Sequence, residues 1–261
     1  MRLNKKSINK FIEIQNSNKK LLTPGPASLL SENIEGLEPS FGRGDQNYLK
    51  IETKVLEKLK KISGHKNIIR LQGAASLALE VMISNFLKGK ILVIKTGTYS
   101  DRLLNMTNSA KKLFKRIKKV EYVNWEATKE IKKKYDWILC CYVETSIGLK
   151  LPIKEINKLK KKTGSKLALD ATASIGLEEK HHYADVIGYS SCKGLFGLTG
   201  GCFVAFNKKP EVKVNQFNLD FDNHYNKKMT GPYHSICSLR FVLSDYKKFK
   251  YSVEINKKKF L

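Results

Sequence analysis

Arginine, paired cysteines and long apolar runs are what this sequence has least of. Only six of its 49 basic residues are arginine: Arg2, Arg43, Arg70, Arg102, Arg116 and Arg240. The net charge of +25 is therefore carried by lysine, spread over helical faces such as 154–162 without interleaved aromatic residues. Specific nucleic-acid readers favour the planar fork of arginine, so the charge is read as solvated lysine surface and no specific nucleic-acid partner is expected. The five cysteines (Cys140, Cys141, Cys192, Cys202 and Cys237) form no CxxC pair. That argues against a disulfide frame or a zinc site and for buried free thiols in a reducing compartment. The histidines, His65, His181, His182, His224 and His234, show no metal-ligand spacing. No metal is expected, and His181-His182 reads as a loop pair. No apolar run is long enough to span a bilayer, and the polar start Met1-Arg-Leu-Asn-Lys-Lys6 is unlike a signal peptide. The expectation is a cytoplasmic chain. A P-loop, a Ser/His/Asp order and internal repeats are also missing.

What is there is a rhythm of short apolar runs and helical stretches. Residues 1–20 form a lysine-rich lead-in with one short helical patch. Leu21-Leu-Thr-Pro-Gly-Pro26 reads as a rigid loop, because its prolines fix φ while Gly25 frees it. Asp45 can cap a helix on which Leu49, Leu56 and Leu59 recur at helical spacing. Strands are expected at 68–72, 90–95, 137–143, in the runs ending at Asp170 and Ser190, and at 201–206. Helices are expected at 76–87, 101–110 and 152–162. Near-continuous apolar strands alternating with helices indicate a mostly parallel sheet covered on both faces. In such α/β sheets the ligand lies beyond the carboxyl ends of the strands.

The candidate site residues cluster at those ends. Gln72-Gly-Ala-Ala-Ser76 joins a strand to a helix, where exposed amides and the Ser76 hydroxyl suit a phosphate; the same small residues also allow tight strand–helix packing. Tyr99, in Thr96-Gly-Thr-Tyr99, offers a ring that can stack on a heterocycle or simply pack. Glu144-Thr-Ser-Ile-Gly148 offers hydroxyls that can serve a ligand or a turn. Asp170 ends one strand-like run, and Lys193 follows the next in Ser190-Ser-Cys-Lys193-Gly. A carboxylate and an amine converging from neighbouring strands fit pyridoxal phosphate, which needs an anion at its pyridine nitrogen and an amine at its aldehyde. Each residue alone also has an ordinary structural explanation, a strand-end turn for Asp170 and lysine abundance for Lys193.

Taken in order, these pieces resemble the class V pyridoxal-phosphate aminotransferases of fold type I. The nearest branches are the 2-aminoethylphosphonate:pyruvate and alanine:glyoxylate (serine:pyruvate) transaminases. The likeness runs from Leu21 to about Leu239 and rests on Leu22-Thr-Pro-Gly-Pro26, Gln72 to Glu80, Thr96 to Arg102, Glu144 to Gly148, Asp170 to Ser174 and Ser190 to Gly194. It implies an α/β large domain over 21–240, with 241–261 the start of a small C-terminal domain that is otherwise absent or vestigial. It implies pyridoxal 5'-phosphate as cofactor, a homodimer, and transamination between a small amino donor and a 2-oxo acid. Lys193 then corresponds to the Schiff-base lysine, Asp170 to the pyridine-nitrogen partner, Tyr99 to the stacking ring and Thr145 to the hydroxyl near the cofactor oxygen. Ala74, Ala75 and Ser76 fall in the phosphate loop, Ser190 and Cys192 beside the lysine, and Thr230 and Tyr233 where the family reaches a neighbouring subunit's phosphate. The departures are two alanines in the phosphate loop, Cys192 where an amide side chain is usual, and Tyr233 where threonine is common. The family's substrate-carboxylate arginine lies in the C-terminal domain, which leaves Arg43 and Arg240 as candidate substitutes. A cysteine desulfurase of the same fold type and a non-catalytic, partner-dependent relative are the alternative readings.

Overall fold

The computed structural model describes residues 5–18, 23–37, 42, 44–226 and 229–260. The helices are α1 (Lys5–Asn18), α2 (Ser31–Glu35), α3 (Gln46–Ser63), α4 (Ala75–Phe86), α5 (Thr98–Leu113), α6 (Ile153–Thr163), α7 (Phe221–Tyr225), α8 (Tyr233–Val242) and α9 (Tyr246–Phe260). The strands are β1 (Asn67–Gln72), β2 (Gly89–Lys95), β3 (Ile117–Asn124), β4 (Trp137–Cys141), β5 (Val143–Glu144), β6 (Leu149–Lys150), β7 (Lys166–Asp170), β8 (Val186–Ser190) and β9 (Gly201–Phe206). Seven strands form one sheet in the order β1-β9-β8-β7-β4-β2-β3, and β5 and β6 make a separate two-stranded ribbon. The pairs β2–β3, β2–β4, β4–β7 and β7–β8 are parallel, whereas β9 runs antiparallel to both β1 and β8. The expected mostly parallel α/β sheet is thus observed.

Alternation along each strand divides the core in two. On β2, Leu92 and Ile94 face one layer and Ile91 and Val93 the other. On β4, Ile138 and Cys140 separate from Leu139 and Cys141 in the same way. This is the period-two consequence of pleating. The first layer is closed by α3, α6 and α8 through residues such as Val55, Leu59, Ile156 and Leu239; the second by α4, α5 and α7 through Val81, Met82, Leu103 and Phe221. Each fully buried Leu or Ile contributes roughly 2 kcal/mol. Asp170 shares the face of Ala168, so it points toward the α4 and α5 layer.

Helix ends follow the sequence. Asp45 accepts from the Tyr48 amide at 2.9 Å and caps α3, as its position predicts. Gly64 and Gly164, both left-handed, end α3 and α6. Three features escape the periodicity. The edge strand β3 reads Ile-Lys-Lys-Val-Glu-Tyr-Val-Asn and is half exposed, with the charged residues that guard sheet edges. The lysine-rich α9 is helical and docks through Phe249 on Phe196 and the Tyr246 hydroxyl on the Gly176 carbonyl. His181 is not a surface loop residue. It is buried, bonded to the Ser174 hydroxyl at 2.9 Å and packed edge-on to Tyr142.

Burial, reinforced by His65 and His182, lowers the His181 pKa to about 4. His65, bonded at both nitrogens to the Ser63 and Ala184 carbonyls, is likewise lowered, chiefly by burial. A histidine depressed in the folded state binds fewer protons there than in the unfolded chain. Its contribution is complete above an unfolded pKa of about 6.5 and disappears as pH falls toward 4. Urea titrations at pH 7.5 and pH 4 are expected to show a stability loss to which His181 contributes on the order of 3 kcal/mol. In His181→Gln that component should be gone, and an unchanged pH slope would show that His181 is not the group responsible.

Candidate active site

The pocket forms where two parallel strands end. β7 and β8 pair in register, with Asp170 opposite Gly188. Gly188 has no side chain, and a Cβ there would lie 2.9 Å from Leu79 Cδ2 on α4. The missing side chain lets α4 lie close against β8, which brings its first turn beside Asp170. The pocket so made is lined by Ala75, Ser76, Tyr99, Arg102, Thr145, Asp170, Thr172 and Lys193, with Cys141 and Val143 among the rest.

Asp170 is 4% exposed. Its Oδ1 accepts from the Thr172 amide at 2.9 Å. Burial raises its pKa, opposed by hydrogen bonding from Thr172 and by the charge of Lys193. It is a carboxylate that gains from a cation facing it. Lys193 follows β8 on the turn 191–200, with its Nζ 5.4 Å from the centre of the Tyr99 ring. The proline-rich loop backs onto this turn: the Ala27 amide donates to the Cys192 carbonyl at 2.7 Å, and Gly25 lies against the Lys193 side chain. The thiols of Cys140 and Cys141 are pushed up by burial, with Asp170 adding to the effect, so neither is a thiolate nucleophile.

Tyr99 is placed by an acid the sequence reading passed over. Glu144, fully buried at the end of β5, accepts from the Tyr99 amide (3.1 Å), the Ser100 amide (3.1 Å), the Thr96 hydroxyl (3.2 Å) and the Ser146 hydroxyl (2.6 Å). It caps α5 from outside the helix, at the end where a negative charge is favoured. Gly97 makes room for it, since a Cβ there would lie 2.7 Å from Ser146 Oγ and 2.9 Å from Glu144 Cγ. The signal in the sequence was an acid immediately before Thr145-Ser146 at a strand end, where only the hydroxyls drew notice.

The remaining expected residues divide. Ala74 is the N-cap of α4 and makes no side-chain cap; Ala75 and Ser76 start the helix and line the pocket. Ser190 ends β8, buried, with its Oγ 3.6 Å from Cys192 Sγ; both precede Lys193 closely in sequence, but neither lines the pocket. Thr230 is exposed ahead of α8, and Tyr233 packs on Tyr48 with ring centres 4.3 Å apart. Neither of them lines the pocket. Their segment is anchored by Arg70, which is buried, paired with Glu52 and bonded to the Met229 carbonyl at 2.8 Å. Arg240 lies on α8 with its guanidinium 4.6 Å over Phe241 and outside the pocket lining. Arg43 is outside the described residues.

Known proteins share this architecture. An aspartate aminotransferase of subgroup IV from Thermus thermophilus superposes with a TM-score of 0.78 at 20% identity, over 90% of this chain and 72% of that one. An alanine–glyoxylate aminotransferase from Nostoc sp. gives 0.72 at 18% identity, over 88% and 72%. These likenesses establish the fold-type I architecture. The sequence model of the class-V aminotransferases matches residues 42–229, and the chain belongs to that family. An uncharacterized aminotransferase of Methanocaldococcus jannaschii is 29% identical over 252 residues, covering 87% of this chain and 64% of that protein. A 2-aminoethylphosphonate–pyruvate transaminase of Pseudomonas aeruginosa is 26% identical over 252 residues, covering 87% and 67%. The chain thus spans about two thirds of the length of these curated relatives. The desulfurase and non-catalytic readings are not favoured by this membership.

Membership implies pyridoxal phosphate as cofactor. The pocket fits it on an independent observation: the Thr145 hydroxyl is buried, lines the pocket and has no partner among the described residues. A buried hydroxyl without a partner is costly, and a ligand oxygen offers one beside an acid, an amine and an aromatic ring.

Replacing Glu144 by alanine strips five donors of their common acceptor, the Ser146 amide among them. Glu144→Ala is expected to lower stability by roughly 3 kcal/mol in urea unfolding, with Glu144→Gln affected less. Equal midpoints for wild type and Glu144→Ala would show that the α5 cap is dispensable.

Proposed function

We propose that the chain is the cofactor-binding domain of a pyridoxal-phosphate transaminase. It would move an amino group between a small donor, of the 2-aminoethylphosphonate, alanine or serine type, and a 2-oxo acid. One observation carries this reading: a buried strand-end carboxylate, Asp170, and a lysine, Lys193, share one pocket beside the ring of Tyr99. Similarity to the 2-aminoethylphosphonate–pyruvate transaminase of Pseudomonas aeruginosa supports the donor type.

When bound, the cofactor supplies an aldehyde that exchanges amines and a ring that takes up the electron pair released at the substrate α-carbon. Asp170 is assigned to hold a proton at the pyridine nitrogen. A buried carboxylate facing a cationic N–H recovers much of what burial costs it, and the proton stays on the ring. Lys193 is assigned to the amine exchange and to carrying the α-proton. A neutral amine serves both tasks, because it can attack and then accept a proton. Tyr99 closes one face of the pocket against water. Thr145 is assigned to donate to the phenolic oxygen. The amides of Ala74, Ala75 and Ser76, with the Ser76 hydroxyl, are assigned to the phosphate at the start of α4. Ser190 and Cys192, just ahead of the lysine, are assigned to the cofactor's surroundings. Thr230 and Tyr233 are assigned to a second copy's pocket, so the working unit of this reading is a homodimer.

The purified chain should acquire visible absorbance with pyridoxal phosphate, and borohydride should fix the cofactor covalently on the peptide that contains Lys193. Lys193→Ala should abolish the adduct without altering the fold and reduce turnover by about 10²- to 10⁴-fold. A wild-type chain that stays colourless and unlabelled would end this reading; an adduct on another lysine would reassign the residue.

A further inference from the structure

Arg102 is the one arginine among the described residues that lines the pocket. Arg70 is committed to Glu52 and the Met229 carbonyl, and Arg116 to the Ser84 carbonyl and the Phe114 ring. Arg102 stands one turn after Tyr99 on α5, with its guanidinium 5.1 Å over the Tyr99 ring. Its side chain is exposed, and among the described residues no acid pairs with it. The adjacent Asp101 is taken by Lys95 at 3.0 Å.

The charges around Tyr99 are therefore unbalanced. The pocket lining holds one acid, Asp170, against two cations, Lys193 and Arg102. In the proposed reading Asp170 faces the pyridine nitrogen, and Lys193 is assigned to the cofactor aldehyde. That leaves a permanent guanidinium charge open to the ligand. The start of α4 is short of side-chain donors for an oxyanion. Ala74 and Ala75 have no side-chain donor, and Ser76 brings a single hydroxyl. Helix-end amides carry only partial charge, whereas a guanidinium offers five N–H donors in a fork that matches phosphate, phosphonate or carboxylate.

We propose that Arg102 is the oxyanion-binding residue of this pocket, receiving either the phosphate of the cofactor or the anionic group of the amino donor. The proposal rests on the reading of the pocket as a pyridoxal-phosphate site. It adds a specificity-determining cation borne on the helix that also carries the stacking ring. Ligands entering the pocket are then selected for a planar-fork acceptor, and uncharged amines are poor donors.

The test compares wild type, Arg102→Ala and Arg102→Lys by equilibrium titration with pyridoxal phosphate and with phosphate-free pyridoxal. It also measures KM for 2-aminoethylphosphonate and alanine at saturating cofactor. If the cofactor phosphate is the anion, Arg102→Ala binds pyridoxal phosphate roughly tenfold to a hundredfold more weakly and binds pyridoxal as before. If the donor is the source, cofactor affinity holds and KM rises by a similar factor. In either case Arg102→Lys, which keeps the charge without the fork, falls between the two. Unchanged constants overturn the proposal, as does equal weakening of pyridoxal phosphate and pyridoxal, which would mean that Arg102 only steadies Tyr99. Matching urea midpoints for the variants exclude a folding defect. A wild-type chain that binds neither form of the cofactor would overturn the reading of the site itself, a result distinct from failure at Arg102 alone.

Discussion

A carboxylate withdrawn from water at the end of a central strand is expensive to keep, and Asp170 is such a group. The backbone amide of Thr172 and the charge of Lys193 offset part of that cost, yet burial still prevails and its pKa is raised. The surrounding structure is arranged around this demand. The register of β7 with β8 puts Gly188 opposite Asp170, and the missing side chain lets α4 approach. The turn after β8 returns Lys193 to the same opening, and the proline-rich loop is tied across it by the Ala27 amide. Each of these features costs something alone: a glycine in a strand, a lysine near a core, a loop pinned to a turn. Together they present a buried carboxylate to the pocket, and a cationic pyridine N–H is a partner that suits it.

A second buried acid does structural work that the first cannot. Glu144 accepts from two amides at the start of α5, from the Thr96 hydroxyl and from Ser146, so its carboxylate oxygens are satisfied within the protein. The two acids lie near one pocket and have opposite fates. Glu144 is spent on positioning Tyr99, whereas Asp170 has a single backbone donor and remains available. Hydrogen-bond saturation separates the scaffold acid from the one open to a ligand. Neither acid could be exchanged for the other without leaving a helix end bare or a ligand proton unheld.

The parallel sheet was legible because its strands are buried on both faces and so read as continuous apolar runs. Trp137-Ile-Leu-Cys-Cys141 and Lys166-Leu-Ala-Leu-Asp170 have no other plausible form between helical stretches. The convergence of Asp170 and Lys193 was legible for the same reason, since strand order places successive carboxyl ends side by side. The edge strand β3 was hidden because one of its faces is wet, and its lysines and glutamate blur the alternation. The cap from Glu144 was hidden because its partners lie about 45 residues away on α5, a separation that no local pattern encodes. His181 was misjudged because adjacency to His182 says nothing about which of the two is folded under Tyr142.

The scarcity of arginine gives its placement meaning. Among the described residues, arginine pairs with a buried acid at position 70 and lies over an aromatic ring at positions 102, 116 and 240. Arg70 satisfies a buried acid and a backbone carbonyl at once, and so anchors the segment that leads to Thr230. Arg116 serves the Ser84 carbonyl behind α4. Lysine, with a single rotatable ammonium, could not reproduce the two-sided bond set of Arg70. Arg102 differs from Arg116 and Arg240, whose guanidinium groups also lie over rings, in lining the cofactor pocket. Its position relative to α4 is consistent with a phosphate loop that has lost side-chain donors at Ala74 and Ala75. Charge supplied from a neighbouring helix can replace hydroxyls lost from the loop, provided that both helices are fixed against the same strand ends. Here Gly188 fixes the approach of α4 and Glu144 fixes the start of α5.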